Sequence, residues 1–323
     1  MLNIAILGTG YMSELYMKML AGSNFNIVGV SGRTREKGIQ FASKYKVRFF
    51  DDYEKMIMTS DIDILIIAIP TACHLDAILT AARNNIKYIF CEKPVGSSLS
   101  EAKKIEYVCS KNKIKLGIGY KMRFEAIFSQ TKSMINDGYI GDLAAITFNY
   151  FQSNPPKTWY LDAGVIRETL SHVIDLSNWF AKNNKAESVY CSARTFLGGK
   201  SEDRASLIIN YSSGLLSNIT GAWIGDYPFI AGRRNIIFQV IGKKGYISGI
   251  RPDTLISCDA KGPQYIKLEI IDPVNYEFQD FMMNLKNGDP SITITDAINV
   301  HLVIDAAVKS IACSKAIKIQ SKS

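Results

Sequence analysis

The run Ile64-Leu65-Ile66-Ile67-Ala68-Ile69 carries no polar residue on either face. A strand with one wet side alternates, so a run of this kind belongs in a parallel sheet with helices on both faces. It is one of a series. Asn3–Leu7, Asn26–Ser31, Tyr88–Cys91 and Lys115–Gly119 are further short apolar runs, and Glu14–Leu20, Asp76–Arg83 and Leu99–Ser110 between them have helical spacing. The alternation predicts a doubly wound, Rossmann-type α/β domain over residues 1–122.

Past Phe124 the texture changes. Ala144–Phe151, Ala205–Tyr211, Leu216–Trp223 and Ile236–Ile241 are longer runs that alternate, and residues 165–181 and 275–287 read as helices. This pattern predicts an α+β domain over residues 123–323, built on a largely antiparallel sheet.

Composition narrows the class of protein. With 323 residues, 47% of them hydrophobic and 21% charged, the chain can build two ordinary cores without disulfide or metal staples. Cys73, Cys91, Cys109, Cys191, Cys258 and Cys313 form no C-x-x-C pair, and His74, His172 and His301 lie far apart. The expectation is a reducing, cytoplasmic setting with no metal site, the cysteines serving as small core residues. The N-terminus lacks a basic leader, and no stretch approaches the ~20 apolar residues of a membrane span. A net charge of +8 suits nucleic acid or an anionic metabolite. Without zinc-finger spacing, an RNP motif or a basic stripe, nucleic acid is not the expected partner.

Gly8-Thr9-Gly10-Tyr11-Met12-Ser13 follows the first apolar run and opens a helix. In a dinucleotide fold the first glycine permits a tight turn and the second lets the backbone approach a pyrophosphate, which the helix N-terminus then receives. The same motif can also be a plain strand–helix turn. Selectivity for NAD usually rests on a carboxylate at the end of the second strand. Here that end reads Ser31-Gly32-Arg33-Thr34, and Ser31, Arg33 and Thr34 are all donors suited to a 2′-phosphate. The expected cofactor is NADP, with NAD as the alternative; a surface role for Arg33 is the plainer reading of that residue.

Phe90-Cys91-Glu92-Lys93-Pro94 closes another strand. The proline disfavours a helical Lys93, leaving the lysine extended at the carboxyl edge of the sheet, where such folds bind ligands. A lysine beside a nicotinamide ring would donate to a substrate oxygen; the ordinary reading is a solvated surface lysine.

With the glycine loop, Ala68-Ile69-Pro70-Thr71 followed by His74, and Glu92-Lys93-Pro94, the chain resembles the Gfo/Idh/MocA family, the glucose–fructose oxidoreductase and inositol dehydrogenase group. Arg123-Phe124, Gly138-Tyr139-Ile140-Gly141 and Gly242-Lys243-Lys244-Gly245 extend the likeness over nearly the whole chain. The resemblance implies cofactor contacts from Gly8, Thr9, Gly10, Tyr11, Met12, Ile69, Pro70, His74, Glu92 and Lys93. It also implies a homodimer or homotetramer.

The family's second catalytic element resembles D-x-G-x-H-x-x-D on a helix, and here the stretch is Glu168-Thr169-Leu170-Ser171-His172-Val173-Ile174-Asp175. Helical spacing puts Glu168, His172 and Asp175 on one face and Ile166, Leu170, Val173, Ile174, Leu176 and Phe180 on the other. Glu168 stands for the usual aspartate and Leu170 for the usual glycine, so the pocket should differ from the common pattern.

The expected reaction is hydride transfer between nicotinamide and a hydroxyl or carbonyl carbon of a sugar, polyol or sugar nucleotide. His172 would be the general acid or base, Lys93 the donor that stabilises alkoxide charge, and Glu168 the group orienting His172. Tyr120, Arg123 and Trp159, with Lys157 and Tyr160, are candidate substrate contacts. Two other readings are a redox-assisted glycoside hydrolase with retained cofactor and a non-catalytic NADP-binding regulator.

Overall fold

In the computed structural model, which describes residues 1–153, 160–224 and 234–320, Ile64–Ile67 form a strand whose four residues are all buried. The chain divides into two units, Met1–Lys121 with Pro273–Ile298, and Met122–Asp272 with Asn299–Ser323.

The first unit runs β1 (Leu2–Leu7), α1 (Tyr11–Leu20), β2 (Phe25–Ser31), α2 (Arg35–Tyr45), β3 (Phe49–Phe50), α3 (Tyr53–Thr59), β4 (Ile64–Ile67), α4 (His74–Arg83), β5 (Tyr88–Glu92), α5 (Leu99–Asn112) and β6 (Lys115–Gly119). Its six strands are all parallel, in the order β3-β2-β1-β4-β5-β6. The order reverses between β1 and β4. A doubly wound sheet opens its ligand crevice outside the carboxyl ends of the strands at such a point.

The second unit continues with α6 (Ala126–Asn136), β7 (Leu143–Ser153), α7 (Tyr160–Ala163), α8 (Ser171–Phe180), β8 (Ala186–Arg194), β9 (Arg204–Tyr211), β10 (Leu216–Ile224), β11 (Arg234–Gly242), β12 (Gly245–Ile250), β13 (Thr254–Asp259) and β14 (Gly262–Lys267). Two helices, α9 (Pro273–Asn287) and α10 (Ile294–Cys313), lead to β15 (Ile317–Lys318). Nine strands form one sheet, β14-β13-β12-β11-β7-β10-β9-β8-β15, antiparallel except where β7 meets β10. Alternation decides its faces: Leu207, Ile209 and Tyr211 of β9 point inward while Ser206 and Ile208 stay outside. Phe128 of α6 and Phe180 of α8 meet Phe148 and Phe238 of the sheet with ring centroids 5.4–6.3 Å apart.

The expected division at 122/123 needs one correction, because residues 273–298 return to the first unit. Val274, Phe278, Phe281 and Leu285 recur at i, i+4, i+7 and i+11, one stripe of a helix, and join the core around Phe90 and Tyr16. Phe281 approaches Phe90 at 5.3 Å, over the space left by the missing side chain of Gly117. The cysteines are also mixed: Cys91, Cys109 and Cys191 are buried as expected of core residues, whereas Cys73 and Cys313 are exposed.

Candidate functional site

At the carboxyl edge of the first sheet the glycine loop is held from both sides. Gly8 N–H donates to the Ser31 carbonyl at 2.7 Å, and Ala68 N–H donates to the Leu7 carbonyl at 2.8 Å. Gly8 has φ +112°, and a Cβ there would collide with the Ala68 carbonyl, so no other residue fits this turn. Thr9 packs its side chain where a Cβ on Gly32 would go. The loops at 8–12, 31–34 and 68–70 are thereby neighbours, although they lie up to sixty residues apart.

The donor set suits an anionic dinucleotide. Gly10 is the N-cap of α1 and supplies no side-chain cap, and a Cβ added to it would meet no protein atom within 4 Å. Among the described residues the first turn of α1 thus has no side-chain cap, and the space beside Gly10 is open, as a pyrophosphate site requires. Tyr11 is exposed, Ser13 is fully buried against the sheet, and Lys121 brings Nζ to 3.7 Å from Met12 Sδ. Lys121 was not singled out in the sequence; its one signal was a cation just past an apolar strand. At the end of β2, Ser31 is largely buried while Arg33 and Thr34 are exposed. Thr34 is the N-cap of α2 but does not cap it through its side chain.

Lys93 sits between two anchored neighbours. Before it, the Glu92 carboxylate accepts a 2.6 Å hydrogen bond from Tyr16 of α1. After it, the Pro94 carbonyl lies 3.0 Å from Nδ1 of His74, and Lys93–Pro94 is cis. The loop ends in a capping exchange: Glu101 N–H donates to Ser98 Oγ, and Ser97 N–H donates to Glu101 Oε2. His74 is 1% exposed, and its other nitrogen, Nε2, lies 2.9 Å from the Ile69 carbonyl. Both ring nitrogens thus face backbone, a different part from the cofactor contact expected of this residue. Tyr120, expected at the substrate, is likewise buried.

In the second unit, the stretch expected to be one regular helix begins as a π-turn at Ile166–Leu170 and becomes α-helical at Ser171. Such turns recur at functional sites. Glu168 stands in the π-turn and His172, 4% exposed, in the first turn of α8. His172 and Asp175 do not meet solvent, because every residue from Ser171 to Ser177 is buried. Asp175 is 1% exposed and takes a bidentate pair from Arg123, with Nε at 2.9 Å and Nη2 at 2.5 Å. Those two donors are therefore engaged by Asp175, which braces Arg123. The guanidinium lies 5.5 Å from the Trp179 ring, as does the Lys132 ammonium.

Leu170, where the resemblance implies glycine, is fully buried. It fills the space over Gly221 of β10, where a Cβ would clash with Leu170 Cδ2. A large side chain and a glycine thus meet across this interface. Glu202, also missed in the sequence, reaches the start of the same π-turn: Val165 N–H donates to its carbonyl and Ile166 N–H to its carboxylate at 3.2 Å. Burial raises its pKa. Trp159 and Lys157, expected at the substrate, lie outside the described residues.

Comparison with known proteins matches residues 2–120 to an oxidoreductase family with an NAD-binding Rossmann fold, and residues 128–248 to the GFO/IDH/MocA C-terminal domain. Inositol 2-dehydrogenase of Salmonella typhimurium is 27% identical over 325 residues, covering 96% of this chain and 94% of the relative. The scyllo-inositol 2-dehydrogenase (NAD(+)) of Bacillus subtilis is 26% identical, covering 94% and 92%. Among solved structures, levoglucosan dehydrogenase in complex with NADH and L-sorbose superposes with a TM-score of 0.89 at 19% identity, covering 99% of both chains. An Agrobacterium radiobacter oxidoreductase in complex with NAD+, L-tartaric acid and magnesium gives 0.89 at 17%, covering 98% of each.

Proposed function

The chain belongs to the Gfo/Idh/MocA family of oxidoreductases, enzymes acting on CH–OH groups, and from that premise we propose that it oxidises a ring hydroxyl of a cyclic polyol or sugar, or reduces the matching ketone. The observation that carries the reading is the carboxyl edge of the first sheet, where an uncapped glycine loop and the Lys93 loop lie on one crevice rim. The names of the inositol dehydrogenase relatives support the polyol class.

The residues at 8–12 would bind the dinucleotide through backbone N–H groups and the α1 dipole. When bound, the nicotinamide supplies the hydride acceptor or donor. Lys93 would donate to the reacting oxygen and stabilise its negative charge. His172 would take that oxygen's proton in oxidation and return it in reduction, with Glu168 fixing the imidazole. We assign NADP over NAD on the exposed Arg33 and Thr34 and on the lack of a carboxylate at 31–34. Among the described residues Arg33 has no ion-pair partner, whereas Arg35 nearby is taken by Asp51.

Steady-state kinetics with myo-inositol and each cofactor test all of this. Lys93→Met and His172→Ala should each lower kcat by ~10²-fold or more with cofactor affinity unchanged. Near-normal turnover in both variants removes the assignment, and a lower Michaelis constant for NAD than for NADP removes the cofactor preference.

We further propose that the chain self-associates through the outer face of its nine-stranded sheet. Thr147, Asn149, Thr220, Gln239 and the exposed Ile237 and Ile250 lie there, all uncharged. Light scattering should give a dimer or tetramer that Ile237→Lys dissociates.

A further inference from the structure

Lys93 is the residue on which the proposed reaction rests, and its own side chain says little about what keeps it in place. The flanking residues say more. Glu92 is tied to α1 by Tyr16, and the Tyr16 phenol is fully buried. Burial, with Glu92 and Glu277 nearby, holds that phenol far above its ordinary pKa, so it stays protonated and remains a donor. Pro94 is tied to α4 by His74 through Nδ1. The same ring reaches the Ile69 carbonyl through Nε2, so it spans the loops after β4 and β5. A neutral imidazole can donate to only one of these carbonyls, and the protonated ring donates to both. Hydrogen bonding to the backbone at Ile69, Pro94 and Val95 opposes the burial that lowers the ring's pKa. Cys91 places Sγ 3.4 Å from Nδ1, and burial keeps its thiol neutral.

We propose that Tyr16 and His74 are positioning residues that clamp Lys93 from both sides, Tyr16 through the Glu92 carboxylate and His74 through the Pro94 carbonyl. Neither need touch substrate or cofactor. Each holds one neighbour of the lysine so that the ammonium is presented at a fixed point on the crevice rim. A lysine carries several rotatable bonds, and fixing its backbone removes the part of that freedom its own side chain cannot restrain. The proposal rests on the functional reading of Lys93, and the test below separates the two.

Amide hydrogen exchange is measured over residues 93–97 of the ligand-free protein, for the wild type, Tyr16→Phe, His74→Gln and His74→Asn. An asparagine amide nitrogen falls near the Nδ1 position and a glutamine amide nitrogen near Nε2. The first therefore keeps the bond to Pro94, while the second keeps only the bond to Ile69. Tyr16→Phe and His74→Gln should speed exchange in this segment about tenfold, and His74→Asn should stay near wild type. Unchanged exchange in Tyr16→Phe and His74→Gln overturns the clamp, as does equal loosening by the asparagine and glutamine variants.

The kinetic arm uses myo-inositol and NADP. Tyr16→Phe should lower kcat about tenfold with KM values within about twofold, and should lower nothing further in a Lys93→Met background. An equal loss in both backgrounds means that Tyr16 does not act through Lys93, and the proposal falls. Should Lys93→Met itself keep wild-type turnover, the functional reading falls and the clamp has no catalytic purpose, whatever the exchange shows.

Discussion

Replacing Gly221 by alanine should loosen the π-turn that carries Glu168, for a reason written in the packing. A Cβ at 221 would overlap Leu170 Cδ2 and sit 3.2 Å from Leu170 Cγ and 3.0 Å from the Tyr150 carbonyl oxygen. The carbonyl belongs to β7 and is held in the ladder with β10 and β11, so it cannot retreat. Leu170 is fully buried and must move instead. Overpacking of this kind destabilises by about 1–3 kcal/mol. The opposite change, Leu170→Ala, opens a cavity and should cost about 2–5 kcal/mol. In the double variant the alanine methyl at 221 enters space that Leu170 has vacated, so its loss should be smaller than the sum by about 0.5–3 kcal/mol.

Chemical denaturation followed by tryptophan fluorescence suits the measurement, since Trp179 and Trp223 both belong to the second unit. Trp223 also donates to Thr169 at 2.9 Å, on the turn in question. Single and double variants that add within ~0.3 kcal/mol would show that the two residues do not share this space, and the packing argument would be refuted.

The Arg123–Asp175 pair is buried on both sides, so Asp175→Ala should destabilise the second unit by about 3–5 kcal/mol by stranding a cation, while Arg123→Met with Asp175→Leu should recover much of that loss; denaturation midpoints check this, and a single-variant loss below ~1 kcal/mol contradicts it. Lys132 should titrate at about 8 by ¹³C NMR, because burial first, then Lys182 and Arg123, disfavour its charged form. Between that value and the ordinary 10.5 the unfolded chain binds the extra proton, so stability relative to Lys132→Met should rise with pH across this window and flatten below it. A difference that falls with rising pH would contradict the sign.

Much of this architecture was legible along the chain because it is local. An unbroken apolar run at 64–67 means a strand buried on two faces, and glycine at 8 means a turn no side chain can enter. Alternation in β9 tells which residues face inward. These signals need only the period of the strand or helix. The two-residue β3 was too short to carry one. Of the candidate site, the glycine loop, Lys93 and the Glu168–His172 stretch stood out by residue type and order, while Tyr16, Lys121, Gly221 and Glu202 did not.

What only the tertiary structure decided is what each buried face meets. Residues 275–287 read as a helix, but not as one whose apolar stripe would join Phe90 in the first unit. Periodicity put Asp175 in phase with His172, yet the carboxylate found Arg123, 52 residues earlier in the chain. Leu170 stood out only as a departure from the family's glycine, and its partner proved to be a glycine on another strand. Sequence records the side of an element that avoids water, since burial depends on local pattern. Partners are chosen by shape and charge across long separations, which no local pattern encodes.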